Sequence, residues 1–267
     1  MRLRILSDLH LELGPPDLPE VEADVVVLAG DTAEGTRGVE WACERFPSTP
    51  VVYVLGNHEY YGHSFPDLAD ELRYAAAGST VHVLEMDSVV IGGVEFLGCT
   101  LWTDQALWQQ PDFCAKLLER TLNDYHLIRS SVSGRTLRAA DTLEAHGRER
   151  QWLEEACRVR RAGQRVIVTH HAPSPRSIPL DEWRAAKGLR HPSHAGLNLL
   201  IRSGYASRLD DVVKRSGADL WVHGHIHSPV NYRLGETRVL SNPQGYNWQQ
   251  QALFRPDRII EIPEPAL

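Results

Sequence analysis

The chain of 267 residues has no apolar run longer than about five or six residues, Val25 to Ala29 being typical, so no segment is suited to cross a bilayer as a helix. Its first residues, Met1-Arg2-Leu3-Arg4-Ile5-Leu6-Ser7-Asp8, carry neither the apolar stretch nor the cleavage pattern of a secretory signal. Clustered cysteine is also missing. Cys43, Cys99, Cys114 and Cys157 are scattered with no C-x-x-C, which excludes a zinc knuckle or disulfide framework and predicts free thiols in a cytoplasmic setting. There is no excess of basic residues either: Lys plus Arg number 28 against 35 Asp plus Glu, a formal charge of −7. A field of that sign does not hold a chain to nucleic acid or to an anionic membrane, though it leaves a local anion site possible. G-x-S-x-G and G-x-G-x-x-G are absent, and no Gly-Lys-Ser/Thr follows Gly30. His58 to His63 reads H-E-x-x-x-H, one residue too long for a zinc helix. Kinase, dehydrogenase and protease readings fall with these absences.

What is present is an ordinary globular composition, 42% apolar and 24% charged, and a pattern that recurs without being a repeat. A short β-branched run gives way abruptly to a polar cluster. Leu3 to Leu6 leads into Ser7-Asp8-Leu9-His10, and Val25 to Ala29 into Gly30-Asp31. Val51 to Leu55 leads into Gly56-Asn57-His58-Glu59, Val166 to Val168 into Thr169-His170-His171, and Leu220 to Val222 into His223-Gly224-His225-Ile226-His227. Runs of this length suit strands buried on both faces. Helices are expected between them: one capped by Ser64 and stopped by Gly78, one opened by an Asp141/Glu144 capping box, one from about Tyr205 to Ser216. Strands alternating with helices predict an α/β fold, with antiparallel pairs around Val89 to Leu97 and Leu234-Gly235-Glu236. The chain reads as a single domain over 1–267, with insertions at about 101–140 and 172–204; connections of that length are more often functional than slack.

In open α/β sheets, sites form beyond the carboxyl ends of the strands, so the five polar clusters are expected to converge. Together they offer Asp8, His10, Asp31, Asn57, His58, His170, His225 and His227. Mixed oxygen and nitrogen ligands suit Mn, Fe or Zn, and eight groups are too many for one ion with an open position. Two ions sharing Asp31 use them naturally. A lone buried histidine is usually structural, but five in post-strand clusters are not independent accidents. His63, His82, His126, His146, His191 and His194 fall outside the clusters and read as surface or packing residues, while His171 and His223 adjoin the candidate ligands.

Asp8-x-His10, Gly30-Asp31, Gly56-Asn57-His58-Glu59, Thr169-His170-His171 and Gly224-His225-x-His227 resemble the five ordered motifs of the calcineurin-like metallophosphoesterases. The resemblance implies a sandwich of two mixed β-sheets flanked by helices. It implies that Asp8, His10, Asp31 and His227 hold one divalent metal ion and Asp31, Asn57, His170 and His225 a second. His58 would then act on the leaving group without ligating either ion, with a metal-bound hydroxide attacking phosphorus in line. Ser/Thr protein phosphatases of this family carry an arginine after the second motif and another before the third; the corresponding residues here are Gly35 and Leu55. A phosphodiester carries less negative charge than a monoester and fits a site without that clamp, so a phosphodiesterase of small or nucleotide-like substrates is favoured. A phosphomonoesterase (protein phosphatases included) and a nuclease remain alternatives. Stable nucleic-acid binding is not expected, nor a membrane partner, and a non-enzymatic scaffold fits poorly with intact motifs. The segment Pro173 to Ser216 carries eight basic against four acidic residues, and Arg184 and Arg190 in it are candidates for a substrate-binding rim. From Pro229 onward no residue matches a metal motif and none carries the functional reading; Asn242 to Tyr246 is an unassigned loop.

Overall fold

The computed structural model of the chain describes residues 1–108, 110–179, 194–248 and 253–262. The strands are β1 (Arg2–Leu6), β2 (Val25–Ala29), β3 (Val51–Val54), β4 (Ser64–Phe65), β5 (Val81–Leu84), β6 (Asp87–Ile91), β7 (Val94–Cys99), β8 (Arg129–Ser130), β9 (Gln164–Thr169), β10 (Leu220–Val222), β11 (Asn231–Leu234), β12 (Thr237–Leu240) and β13 (Ile259–Glu261), of which β4, β5, β8 and β13 were not expected from the sequence. One sheet has the order β13-β1-β2-β3-β5, the other β11-β12-β10-β9-β7-β6, and β4 pairs with β8 alone. Both large sheets are mixed. β1, β2, β3 and β5 are parallel with β13 antiparallel at the edge; β12, β10, β9 and β7 are parallel, with antiparallel β11 and β6 outermost.

The continuous apolar runs arise because each central strand is covered on both faces. Leu3, Ile5, Val25, Val27, Val52 and Val54 meet Phe96, Val166, Val168, Leu220 and Val222 between the sheets. The alternate residues Leu6, Val26, Leu28, Val51 and Tyr53 face outward onto Val39, Ala42, Leu68 and Leu72 from α1 (Arg37–Arg45) and α2 (Leu68–Ala75). On the other outer face Leu97, Ile167, Trp221 and Val239 pack with Leu153 of α5 (Ala139–Arg158) and with Val212 and Val213 of a later short helix, Asp210–Arg215. The result is a helix–sheet–sheet–helix sandwich whose central layers exclude water, each fully buried Val or Leu contributing about 1.5–3 kcal/mol.

Both long connections have helical content. The first carries α3 (Pro111–Thr121) and α4 (Asp124–Leu127), the second α6 (His194–Ile201), ahead of α7 (Asp210–Arg215). They meet each other. The Trp108 indole N–H donates to Leu199 O at 2.9 Å, and the Cβ that Gly204 lacks would lie 2.9 Å from side-chain atoms of Leu118 and Leu122. Three expected helix boundaries are corrected. Ser64 lies in β4, and α2 starts at Leu68 after Asp67. Helix α5 begins at Ala139, with the Asp141 carboxylate accepting the Arg138 N–H at 2.7 Å, so Asp141 sits inside the first turn. The helix expected from Tyr205 is only Asp210–Arg215, preceded by a 3-10 turn at Arg202–Gly204.

Candidate active site

The loops after β1, β2, β3, β9 and β10 converge at one edge of the sandwich and are laced by main-chain hydrogen bonds. Asp8 N donates to Gly30 O at 3.0 Å, His10 N to Asp31 O at 3.1 Å and Gly224 N to His170 O at 2.9 Å. The approach is close enough to require glycine. A Cβ on Gly30 would collide with the His170 imidazole, and one on Gly56 would strike the Asp31 carboxylate and come within 2.6 Å of its N. Asp8, His10, Asp31 and His225 hold φ of 53°, 48°, 52° and 63°, a left-handed backbone that non-glycine residues adopt only under constraint. Glu59 organises the second and third loops from below: its buried carboxylate accepts Asp31 N at 3.0 Å, Thr32 N at 2.8 Å, Gly56 N at 2.7 Å and the Tyr53 hydroxyl at 2.8 Å.

Three sets of ligand atoms result, each with members within 4.8 Å of one another: His10, Glu12 and His58 form one, and two others meet at Asp31, namely Asp8, His10, Asp31 and His227, and Asp31, His170 and His225. Asp31 is common to the last two. His10 Nε2 faces His227 Nε2 at 3.3 Å, and His170 Nε2 faces His225 Nδ1 at 3.1 Å and Asn57 Oδ1 at 3.0 Å. Asp8 Oδ2 and His225 Nε2 are buried with no hydrogen-bond partner among the described residues. Ring nitrogens turned toward each other beside an orphaned carboxylate oxygen fit cation coordination, as does the chemistry of the donor set.

The charges agree with this. Burial opposes ionisation of Asp31, but the His170 and His58 imidazoles outweigh it and hold the carboxyl well below its usual range. Burial likewise opposes ionisation of Asp8, which hydrogen bonding and attraction to His227 still keep low. His170 is held up to about 9, its burial overcome by Asp31. Burial and the neighbouring His171 and His170 push His225 well below the ordinary imidazole value, leaving it a neutral imidazole. His171 and His223 are driven down to about 3 and about 4, chiefly by burial. They act as neutral supports: His171 Nδ1 bonds Thr100 O at 3.3 Å, and His223 Nε2 bonds the Ser177 hydroxyl at 2.8 Å.

His58 stands beside this cluster on a 3-10 turn, His58–Tyr60, with its N–H on Asp31 Oδ1 at 2.9 Å and its Nε2 3.9 Å from Asp31 Oδ2. Burial lowers its basicity, yet Asp31 and then Glu12 raise it to about 9. A cavity of about 250 Å³ opens in front, lined by Asp31, Asn57, His58, His225 and His227, by Thr121 to Asp124, and by Arg202, Tyr205 and Tyr246. The two long connections thus supply one wall. Arg184 and Arg190 lie outside the described residues; Arg202, over the Tyr205 ring at 4.8 Å, brings a guanidinium to the lining.

Three residues escaped the motif reading. Asp124 accepts Asn57 Nδ2 at 2.8 Å and the Tyr61 hydroxyl at 2.8 Å, which turns the Asn57 amide oxygen toward His170. Glu12 Oε1 receives both His10 Nδ1 at 3.0 Å and His58 Nδ1 at 3.2 Å. Tyr246 places its hydroxyl 3.1 Å from His58 Nε2 and stacks on the exposed Trp248. The loop from Asn242 to Tyr246 therefore does take part in the site, against the sequence expectation. Its signal was available: β12 runs parallel to β10, so its carboxyl end opens on the same edge.

The family profile of the calcineurin-like phosphoesterases matches residues 1–229, and the chain belongs to that family of metal-dependent phosphoester hydrolases. An uncharacterised protein of Acanthamoeba polyphaga mimivirus is 22% identical over 220 residues, covering 79% of this chain and 73% of the viral one. The crystal structure of a phosphopantetheinyl hydrolase from Mycobacterium tuberculosis superposes with a TM-score of 0.64 at 21% identity, covering 91% of this chain and 89% of that one. At such identity the likeness is one of fold.

Proposed function

We propose that the chain is a dinuclear-metal phosphodiesterase acting on small or nucleotide-like phosphodiesters. The observation that carries this reading is the sharing of Asp31 between two ligand sets, Asp8/His10/Asp31/His227 and Asp31/His170/His225, the latter extended by Asn57. Two Mn, Fe or Zn ions held there would supply a nucleophilic water at neutral pH and positive charge for the phosphoryl oxygens. The chain's own residues do the rest. Asn57 and the imidazoles of His10, His170, His225 and His227 add no negative charge, leaving the local field to favour an anionic substrate. His58 sits at the cavity wall with Nε2 directed away from Glu12. As a water oxygen bonds to phosphorus and the opposite P–O bond breaks, the electron pair goes to the leaving oxygen, and His58 Nε2–H supplies its proton. Tyr205 and Tyr246 wall the space that the departing group occupies.

The diester preference is supported by what stands where the protein phosphatases have arginine. Gly35 packs beside the His63 ring, and Leu55 is buried in the core. We read the chain as one domain with two insertions. Four free cysteines support a cytoplasmic setting, and among the described residues no helix is long and apolar enough to cross a membrane.

The test is hydrolysis by Mn²⁺-loaded protein of bis-p-nitrophenyl phosphate against p-nitrophenyl phosphate. A higher kcat/KM on the diester is expected, and a monoester preference would overturn the substrate assignment. A phosphopantetheinyl ester belongs in the same panel, after the activity named for the mycobacterial protein.

A further inference from the structure

One carboxylate oxygen serves two imidazoles with different tasks. Glu12 lies in the 3-10 turn Leu11–Leu13, which follows the left-handed His10 and folds the side chain back over the loop it has just left. Its Oε1 accepts from Nδ1 of His10 and Nδ1 of His58, at 3.0 and 3.2 Å. Its Oε2 is buried and has no partner among the described residues, so Oε1 carries the contacts to both rings. The rings themselves pack edge to face, 4.5 Å between centroids.

We propose that Glu12 is the positioning residue that couples the metal centre to the leaving-group acid: by holding the Nδ1–H of both rings, it aims His10 Nε2 at the metal site and His58 Nε2 at the substrate. This rests on the phosphodiesterase reading above and deepens it. A ring that donates from Nδ1 to a fixed carboxylate has its tautomer and orientation set, which is how an outer carboxylate tunes a metal ligand. At His58 the same contact places the negative charge on the side away from the leaving oxygen, where it stabilises the ring while the ring still holds its proton. A purely structural ion pair has no need to converge on the two rings that divide these roles.

The experiment uses the full chain with Mn²⁺, comparing Glu12→Ala, His58→Ala and the double variant. Substrates are bis-p-nitrophenyl phosphate and diphenyl phosphate, which have a good and a poor leaving group. At saturating Mn²⁺, Glu12→Ala is expected to lower kcat by roughly 10–100-fold with KM little changed, more on diphenyl phosphate, as His58→Ala does. The double variant should be no slower than His58→Ala alone. Calorimetric Mn²⁺ affinity should fall roughly 10–100-fold in Glu12→Ala and in the double variant but not in His58→Ala, with two ions still bound at saturation. Multiplying kinetic effects, an unchanged kcat, or the loss of one bound ion at saturation would overturn the proposal, the last by making Glu12 a direct ligand. If the alanine variant does not fold, Glu12→Gln must show the same pattern more weakly, because it keeps an oxygen at Oε1. Wild-type inactivity on every phosphoester would instead overturn the function itself.

Discussion

At the scale of single residues, the candidate ligands stand apart from the side chains proposed to act or orient. His58 lies next to the ligand sets and opens on the cavity, so His58→Ala should keep both metal ions and reduce kcat by about 10²–10⁴-fold, most with poor leaving groups. Metal analysis beside kinetics on the two diesters checks this; a lost ion would make His58 a ligand. Asp124 holds Asn57 by its amide nitrogen, and an amide left without that partner can turn either end inward. Asp124→Ala should therefore weaken Mn²⁺ binding by about 10–100-fold, read by calorimetric titration. Most candidate ligands were legible because each follows an apolar run directly. Asp124 was not: it reaches Asn57 across 67 residues of chain, through a connection whose path is set by the packing of α3 against α5 and α6 and of α4 against the His58–Tyr60 turn. Glu12 stands two residues after His10, but an acidic residue at that spacing looks solvated until the left-handed turn at His10 is known.

At the scale of elements, the strands were readable because both their faces are covered, which makes the apolar runs continuous. The short helices were less so. Ser64 looks like a cap, yet it lies opposite Arg129 in a two-residue parallel pairing, held where Arg129 N donates to His63 O and Ser131 N to Phe65 O, and that tertiary contact delays α2 to Leu68. The rule that functional loops follow parallel strands was sound but applied too narrowly. Thr100 after β7 accepts both His170 N and His171 N, and Tyr246 lies in the loop after β12. The β7–β9 register that positions Thr100 also pairs Glu95 with Arg165, a buried salt bridge at 2.9 Å with both side chains 1% exposed. The guanidinium is further satisfied by Cys157 O at 2.9 Å and Ser216 O at 2.8 Å. Glu95→Ala leaves that cation buried without its counter-charge and should cost about 3–5 kcal/mol in urea unfolding. Replacing both residues by Met should recover most of the loss, since a packed apolar pair avoids desolvating two charges.

At the scale of the molecule, two sheets bring their carboxyl ends to one edge and concentrate there two carboxylates, strained backbone and facing imidazole nitrogens. That concentration is unfavourable for the folded chain by itself, since left-handed non-glycine residues cost roughly 1–2 kcal/mol each. Cation binding offsets it. With free Mn²⁺ at about 100 times its Kd, one site adds about 2.7 kcal/mol, so chelation should lower Tm by several degrees. The fall should be absent in Asp31→Asn, and scanning calorimetry with and without chelator reads both. The central claim is that Asp31 is the carboxylate common to two cation sites. It is tested most directly by counting Mn²⁺ bound per chain after reconstitution, in the wild type and in Asp31→Asn. The account predicts two ions per wild-type chain and fewer than one in the variant. A single ion in the wild type, or two retained by Asp31→Asn, would contradict it.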